Sequence, residues 1–230
     1  MKKKYDTLLF DVDDTLLDFG AAETQALGKL FNDLGIELDA EIEASYKSYN
    51  QSLWKKLEVG SITRKQLLAT RFPTFFKKYF SLDVDADVLT PKYMNYLSMG
   101  HEEVCGARQL LTSLKNSEHK LYVVSNGNLD VQNRRLRDSG FGDYFEQIFI
   151  SEKMGVKKPD KEFFDVVERS IEGFVPERAV VIGDSLTSDI KGANNAGLDS
   201  VWFNPNGNRN ETENKPTYEV KNLTEINKFV

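Results

Sequence analysis

A chain of 230 residues exceeds an average single domain and falls short of two full ones, which fits one core carrying an insertion. Hydrophobic residues at 40% and charged residues at 29% exclude a disordered or fibrous chain, and no apolar run reaches the length of a membrane span. A net charge of −6 with Lys and Arg scattered along the chain excludes a surface for a nucleic acid polymer, so any anionic ligand needs cations gathered at its site.

The start Met1-Lys2-Lys3-Lys4 is basic, but the apolar stretch behind it ends at Phe10 and meets Asp11, so no export signal is expected. Cys105 is the single cysteine; it excludes an internal disulfide and is expected in the core as a small hydrophobe. Both features predict a cytoplasmic protein. Thr7–Phe10 reads as a first buried strand. Between Phe19 and about Gly100 strand-like runs vanish, and helices are predicted near 20–34, 40–58, 63–79 and 85–98. Leu27, Leu30, Phe31 and Leu34 fall at helical spacing, with Gly35 as the stop. Beyond residue 100, the runs at Leu121–Val124, Gln147–Ile150, Ala179–Ile182 and Ser200–Phe203 alternate with helices near 104–116, 129–139, 160–172 and 186–196. That alternation predicts an α/β fold with a doubly wound sheet and right-handed crossovers. The expected division is core 1–18, helical insertion 19–99, core 100–230. Asn204 to Lys215 reads as a surface loop, and Tyr218–Val220 as an edge strand before a short final helix.

Chemistry concentrates where these strands end. Asp11-Val12-Asp13-Asp14-Thr15 puts carboxylates at alternate positions as the first strand opens into a loop, where burying acids serves no stabilising purpose. Two such carboxylates facing one reacting group divide into a nucleophile and an acid; the alternative is a solvated acidic turn. Ser125-Asn126-Gly127-Asn128 offers a hydroxyl and main-chain N–H groups at a helix start, either a phosphate cradle or a capping turn. Lys158 precedes Pro159, which is expected in the first turn of a helix and holds Lys158 extended toward Asp11 and an incoming phosphate. Asp184 at the next strand end suits an oxygen site for Mg²⁺, with Asp189 supporting it from behind; the alternative for Asp184 is a helix cap.

The ordered set Asp11-x-Asp13-x-Thr15, Ser125 after an apolar strand, Lys158 before Pro159, and Gly183-Asp184 followed by Asp189 resembles the haloacid dehalogenase superfamily of phosphotransferases across essentially the whole chain. The resemblance implies a Rossmann-like, mainly parallel sheet in which the strand of Asp11 lies between those of Ser125 and Asp184, with the insertion as an α-helical cap. It implies Asp11 as nucleophile and metal ligand, and Asp13 as general acid/base ligating metal through its carbonyl. Asp184 would complete a Mg²⁺ site, and Thr15, Ser125, Asn126 and Lys158 would serve the phosphoryl group, Thr15 by orienting Asp13. Dehalogenases and phosphonate hydrolases of that superfamily lack an acid at the position of Asp13, so its presence argues for phosphate esters. Tyr49 to Thr63, Arg71-Phe72, Asp18-Phe19 and Ala22-Glu23 resemble the house-cleaning pyrimidine 5′-nucleotidase subgroup. Trp54 and Phe72 either stack on a base or fill the cap core.

The expected activity is therefore a Mg²⁺-dependent phosphatase acting on a small phosphate monoester, foremost a pyrimidine nucleoside 5′-monophosphate. A sugar-phosphate or phosphoglycolate phosphatase and a phosphomutase are the competitors. Gly183-Asp184-Ser185-Leu186 also spells a serine-esterase signature, but the chain's two histidines, His101 and His119, stand in no suitable arrangement with Ser185. A phosphoacceptor module without turnover would be about half this length and lack the helical insertion.

Overall fold

The computed structural model describes residues 5–230; the basic start Met1–Lys4 lies outside the described residues. Strand β1 (Thr7–Phe10) leads into helices α1 (Phe19–Asp33), α2 (Ala40–Glu58), α3 (Arg64–Phe80) and α4 (Ala86–Leu97). There follow α5 (Ala107–Asn116), β2 (Lys120–Ser125), α6 (Leu129–Asp138), β3 (Gln147–Ile150), α7 (Ser151–Met154) and α8 (Lys161–Ser170). The last elements are β4 (Ala179–Gly183), α9 (Lys191–Ala196), β5 (Asp199–Phe203), β6 (Tyr218–Val220) and a closing 3₁₀ helix, Leu223–Lys228. It divides into two compact units, one formed by the chain up to Phe19 together with His101–Val230, the other by Gly20–Gly100.

The first unit holds a six-stranded sheet in the order β3-β2-β1-β4-β5-β6, with every neighbouring pair parallel. All four residues of β1 and all five of β4 are buried, as befits central strands covered on both faces. Leu8 and Phe10 point into one apolar layer with Leu110, Leu114 and Ile226, while Leu9 points into the other with Phe163, Phe164 and Val167. Register sets Phe10 beside Val123 on one side and Ile182 on the other. The residues that follow each of these therefore gather at one sheet edge, where the strand order reverses around β1.

The second unit is helical. Asp39, Thr63 and Asp85 cap α2, α3 and α4 by accepting main-chain N–H groups at their starts, and Thr63 with Gln66 forms a reciprocal capping box. Its core is aromatic: Phe31, Tyr46, Phe72, Phe75, Phe76 and Tyr93 are buried. Phe72 stacks on Tyr46 at 5.8 Å, so it occupies the core position that was the alternative to base stacking. Trp54 is half-buried beside Leu53, Leu57 and Leu67, with the Arg64 guanidinium 5.5 Å from its ring.

Three local expectations are corrected. Cys105 is exposed, because α5 starts later than its apolar pattern suggests: Gly106, at φ 85°, takes a left-handed turn before Ala107, leaving Cys105 in the approach. Pro159 precedes the α8 cap Asp160 rather than standing inside the helix. The helix expected over 186–196 begins as a π-type turn, Leu186–Ile190, before α9.

Candidate active site

Asp11 extends β1 by one residue, its N–H donating to Ile182 O at 2.9 Å. Val12 turns into the core, and the N–H groups of Leu16 and Leu17 both donate to Val12 O at 2.9 Å, closing the loop that carries Asp13. Asp14 adopts φ 57°, a left-handed conformation that an aspartate tolerates better than most side chains. Lys158 reaches this edge fully buried, and its Nζ donates to Asp11 Oδ1 at 2.6 Å, Asp189 Oδ1 at 2.6 Å and Val124 O at 2.7 Å. An ammonium group has three hydrogens, so the set is complete. Asp189 is held in turn by the Ser185 N–H at 3.1 Å. A Cβ at position 183 would stand 2.2 Å from Asp189 Oδ2, so only glycine leaves room for that carboxylate. Trp202 Nε1 donates to the Asp184 carbonyl at 2.8 Å, tying that residue to β5.

Asp11, Asp184 and Asp189 each offer an oxygen, all within 4.8 Å of one another. Burial pushes the Asp11 carboxyl up to about 8; the charges of Asp189 and Asp13 push the same way and Lys158 opposes them. Asp184 is raised well above the usual carboxylate range, first by burial and then by the charges of Asp189 and Asp11. Burial works against the charge on Lys158, but Asp11 and Asp189 outweigh it and hold the ammonium form. Once Asp11 and Asp184 give up their protons, three carboxylates against one ammonium leave a surplus of negative charge that a divalent cation preferring oxygen donors would neutralise, so the donor set fits Mg²⁺.

The Asp13 carboxylate is held from α6. Its Oδ1 accepts from Arg135 Nη1, and its Oδ2 accepts from Gln132 Nε2 at 2.8 Å. Gln132 Nε2 also donates to Ser125 Oγ at 3.0 Å, and Arg135 Nη1 donates to Gln132 Oε1 at 3.1 Å. Nothing in the motif pattern points to Gln132 and Arg135. The available signal is that α6 buries Val131, Gln132, Arg135 and Leu136 on one face, two of them too polar for a plain core.

The structure thus brings Asp11, Lys158, Asp184 and Asp189 into one cluster and links Asp13 to Ser125 through Gln132. Thr15 Oγ1 is buried and finds no hydrogen-bond partner among the described residues, so the hold on Asp13 expected of Thr15 comes from α6 instead. Asn126 braces Lys158: its Oδ1 accepts the Lys158 N–H at 2.9 Å and its Nδ2 donates to Lys158 O at 2.8 Å. The start of α6 is a capped turn rather than an open cradle, since Asn128 accepts the Val131 N–H and Glu152 accepts the Leu129 N–H. Ser185 Oγ accepts the Ser188 N–H, a capping contact. Trp54 and Phe72 belong to the helical unit.

Residues 5–197 match the haloacid dehalogenase-like hydrolase family. YfnB from Bacillus subtilis, whose name places it among the HAD-hydrolases, is 46% identical over 97% of this chain and 94% of its own. Its crystal structure, bound to magnesium, superposes with a TM-score of 0.92 over 97% of each chain. The pyrimidine 5′-nucleotidase PynA of Streptococcus pneumoniae is 42% identical over 96% of this chain and 93% of its own. The pyrimidine 5′-nucleotidase YjjG of Escherichia coli is 31% identical over 99% and 98%. With its sheet order, its acidic cluster and these relatives, the chain belongs to the haloacid dehalogenase-like hydrolases, as a phosphoric monoester hydrolase.

Proposed function

We propose that the chain is a Mg²⁺-dependent phosphatase that cleaves pyrimidine nucleoside 5′-monophosphates through an aspartyl-phosphate on Asp11. The observation that carries this reading is the buried Lys158 ammonium between Asp11 and Asp189, with Asp184 near enough to share a cation with both. Asp11 and Asp184 would hold Mg²⁺, with the Asp13 carbonyl as the family resemblance implies and Asp189 behind them. When bound, the ion supplies positive charge for the phosphoryl oxygens.

The chain's own groups do the rest. A carboxylate oxygen of Asp11 attacks phosphorus while the ester P–O bond breaks, and Asp13 gives a proton to the leaving oxygen. Water then attacks the phosphoaspartate, Asp13 takes its proton, the P–O bond to Asp11 breaks, and inorganic phosphate departs. Lys158 offsets charge on Asp11 and the phosphoryl group. Ser125 Oγ accepts hydrogen bonds from Gln132 and from the Gly127 N–H at 3.0 Å each, so its own hydrogen is directed elsewhere, toward a phosphoryl oxygen.

The nucleotide part of the reading follows PynA and YjjG, both named for that activity. Its test is kcat/KM with Mg²⁺ across pyrimidine and purine monophosphates, hexose phosphates and phosphoglycolate. Pyrimidine nucleotides, dUMP and dTMP included, are expected to lead. A hexose phosphate or phosphoglycolate ahead by about tenfold, roughly 1.4 kcal/mol, overturns the nucleotidase reading and leaves the phosphatase standing.

A further inference from the structure

We infer that Gln132 and Arg135 are positioning residues that lock the proton-transfer group Asp13 to the phosphate-binding hydroxyl Ser125, so that α6 aligns the two halves of the reaction. The inference rests on the phosphatase reading above and deepens it.

The hydrogen bonds leave little freedom. Gln132 uses one amide hydrogen on Asp13 and the other on Ser125, at 2.8 and 3.0 Å, and its oxygen accepts from Arg135. This fixes which end of the amide faces the site. Arg135 Nη1 divides its two hydrogens between Asp13 and Gln132, gripping the other carboxylate oxygen. Both side chains are buried at 0–1% exposure, whereas the Asp13 side chain is 31% exposed, so a rigid pair holds a group open to the site. Arginine and glutamine buried on a helix face cost desolvation that apolar residues would avoid, and the positioning of Asp13 and Ser125 by this network accounts for their place.

Gly127 points the same way. A Cβ there would lie 2.6 Å from Gln132 Cγ and 2.7 Å from Nε2, so the turn between Ser125 and α6 is cut to the shape of the Gln132 side chain. Holding a proton donor in one place matters most where the leaving group needs the proton. An alkoxide leaves poorly without protonation and p-nitrophenolate leaves well without it.

The experiment uses the full chain with Mg²⁺ and measures the single-turnover rate of phosphoenzyme formation, kcat and KM. Substrates are an alkyl phosphate and p-nitrophenyl phosphate. Arg135→Met is expected to slow formation from the alkyl phosphate at least about thirtyfold, against about threefold or less from p-nitrophenyl phosphate, with Arg135→Lys recovering part of the loss. Gln132→Met should add a rise in KM, because Ser125 loses a donor that orients it. Gly127→Ala, which removes no functional group, should reproduce the Gln132 pattern in milder form and keeps the test available should Arg135→Met not fold. Equal losses for both substrates across these variants, or losses that simply follow the fall in melting temperature, overturn the inference. Should wild type and Asp13→Ala themselves show no difference between the two leaving groups, the failure lies in the proton-transfer reading of Asp13 instead.

Discussion

At Lys158 an ammonium with 1% exposure meets two carboxylates and a main-chain carbonyl, and the site's behaviour toward protons and cations turns on that balance. Asp11, raised to about 8, takes up a proton near neutrality that its unfolded counterpart, at 3.8, does not. A cation that needs the carboxylate form must displace that proton. Mg²⁺ binding is therefore expected to release protons at pH 7 and to tighten as pH rises toward about 8. Titration calorimetry in two buffers of different ionisation enthalpy reads this directly. Binding that takes up protons, or that weakens over the same range, contradicts the electrostatic picture. Asp11 and Asp184 were legible in the sequence because each stands where an apolar strand run stops on an acid, and Lys158 because it directly precedes Pro159. Gln132 and Arg135 were not, because their partner Asp13 lies 119 and 122 positions away and a helical face of mixed polarity names no contact.

At the scale of elements, the strands were readable to within a residue or so because buried parallel strands are unbroken apolar runs, as at β1 and β4. The short α7 was not, since its Ser-Glu-Lys-Met sequence carries no period. Among the helices, α1 contributes Glu23, buried against Asn50 Nδ2 at 2.7 Å, with the buried Arg71 donating to the same asparagine at 3.4 Å. Burial pushes Glu23 up to about 7 from 4.5, opposed by the Asn50 hydrogen bond and by the charges of Lys47 and Arg71. Between those values the folded chain holds a proton that the unfolded chain lacks. The stability Glu23 contributes is thus fully present below 4.5 and is lost as pH rises through 7. Glu23→Gln should therefore stabilise the protein at about pH 8 by on the order of 1–3 kcal/mol, with a smaller effect at about pH 5. Urea unfolding at the two pH values measures it; a variant less stable than wild type at the higher pH contradicts the assignment.

Across the whole molecule, the helical unit is inserted where the entering and leaving chains pair: Asp18 N–H donates to Glu102 O at 2.9 Å, and Leu17 bridges Glu103. The division into a sheet unit and a helical unit was readable from the change of period near Phe19 and Gly100. The tasks of single residues in the helical unit were not, because aromatic side chains at helical spacing read alike as core and as ligand contact. Phe72 proved to be core, while Trp54 is half-buried. With the phosphate chemistry confined to the sheet unit, Trp54→Ala should lower the ratio of dUMP to p-nitrophenyl phosphate kcat/KM about tenfold. Hydrolysis of p-nitrophenyl phosphate itself should stay within about threefold. Parallel losses on both substrates would remove Trp54 from any part in selection.

The central claim is a covalent phosphate on Asp11, and the most direct measurement is acid quenching during turnover, followed by borohydride reduction and peptide mapping. Reduction of an aspartyl-phosphate should convert residue 11 to homoserine, only when both substrate and Mg²⁺ are present. An unmodified Asp11 alongside a modified side chain elsewhere, or no modification during demonstrated turnover, would contradict the account.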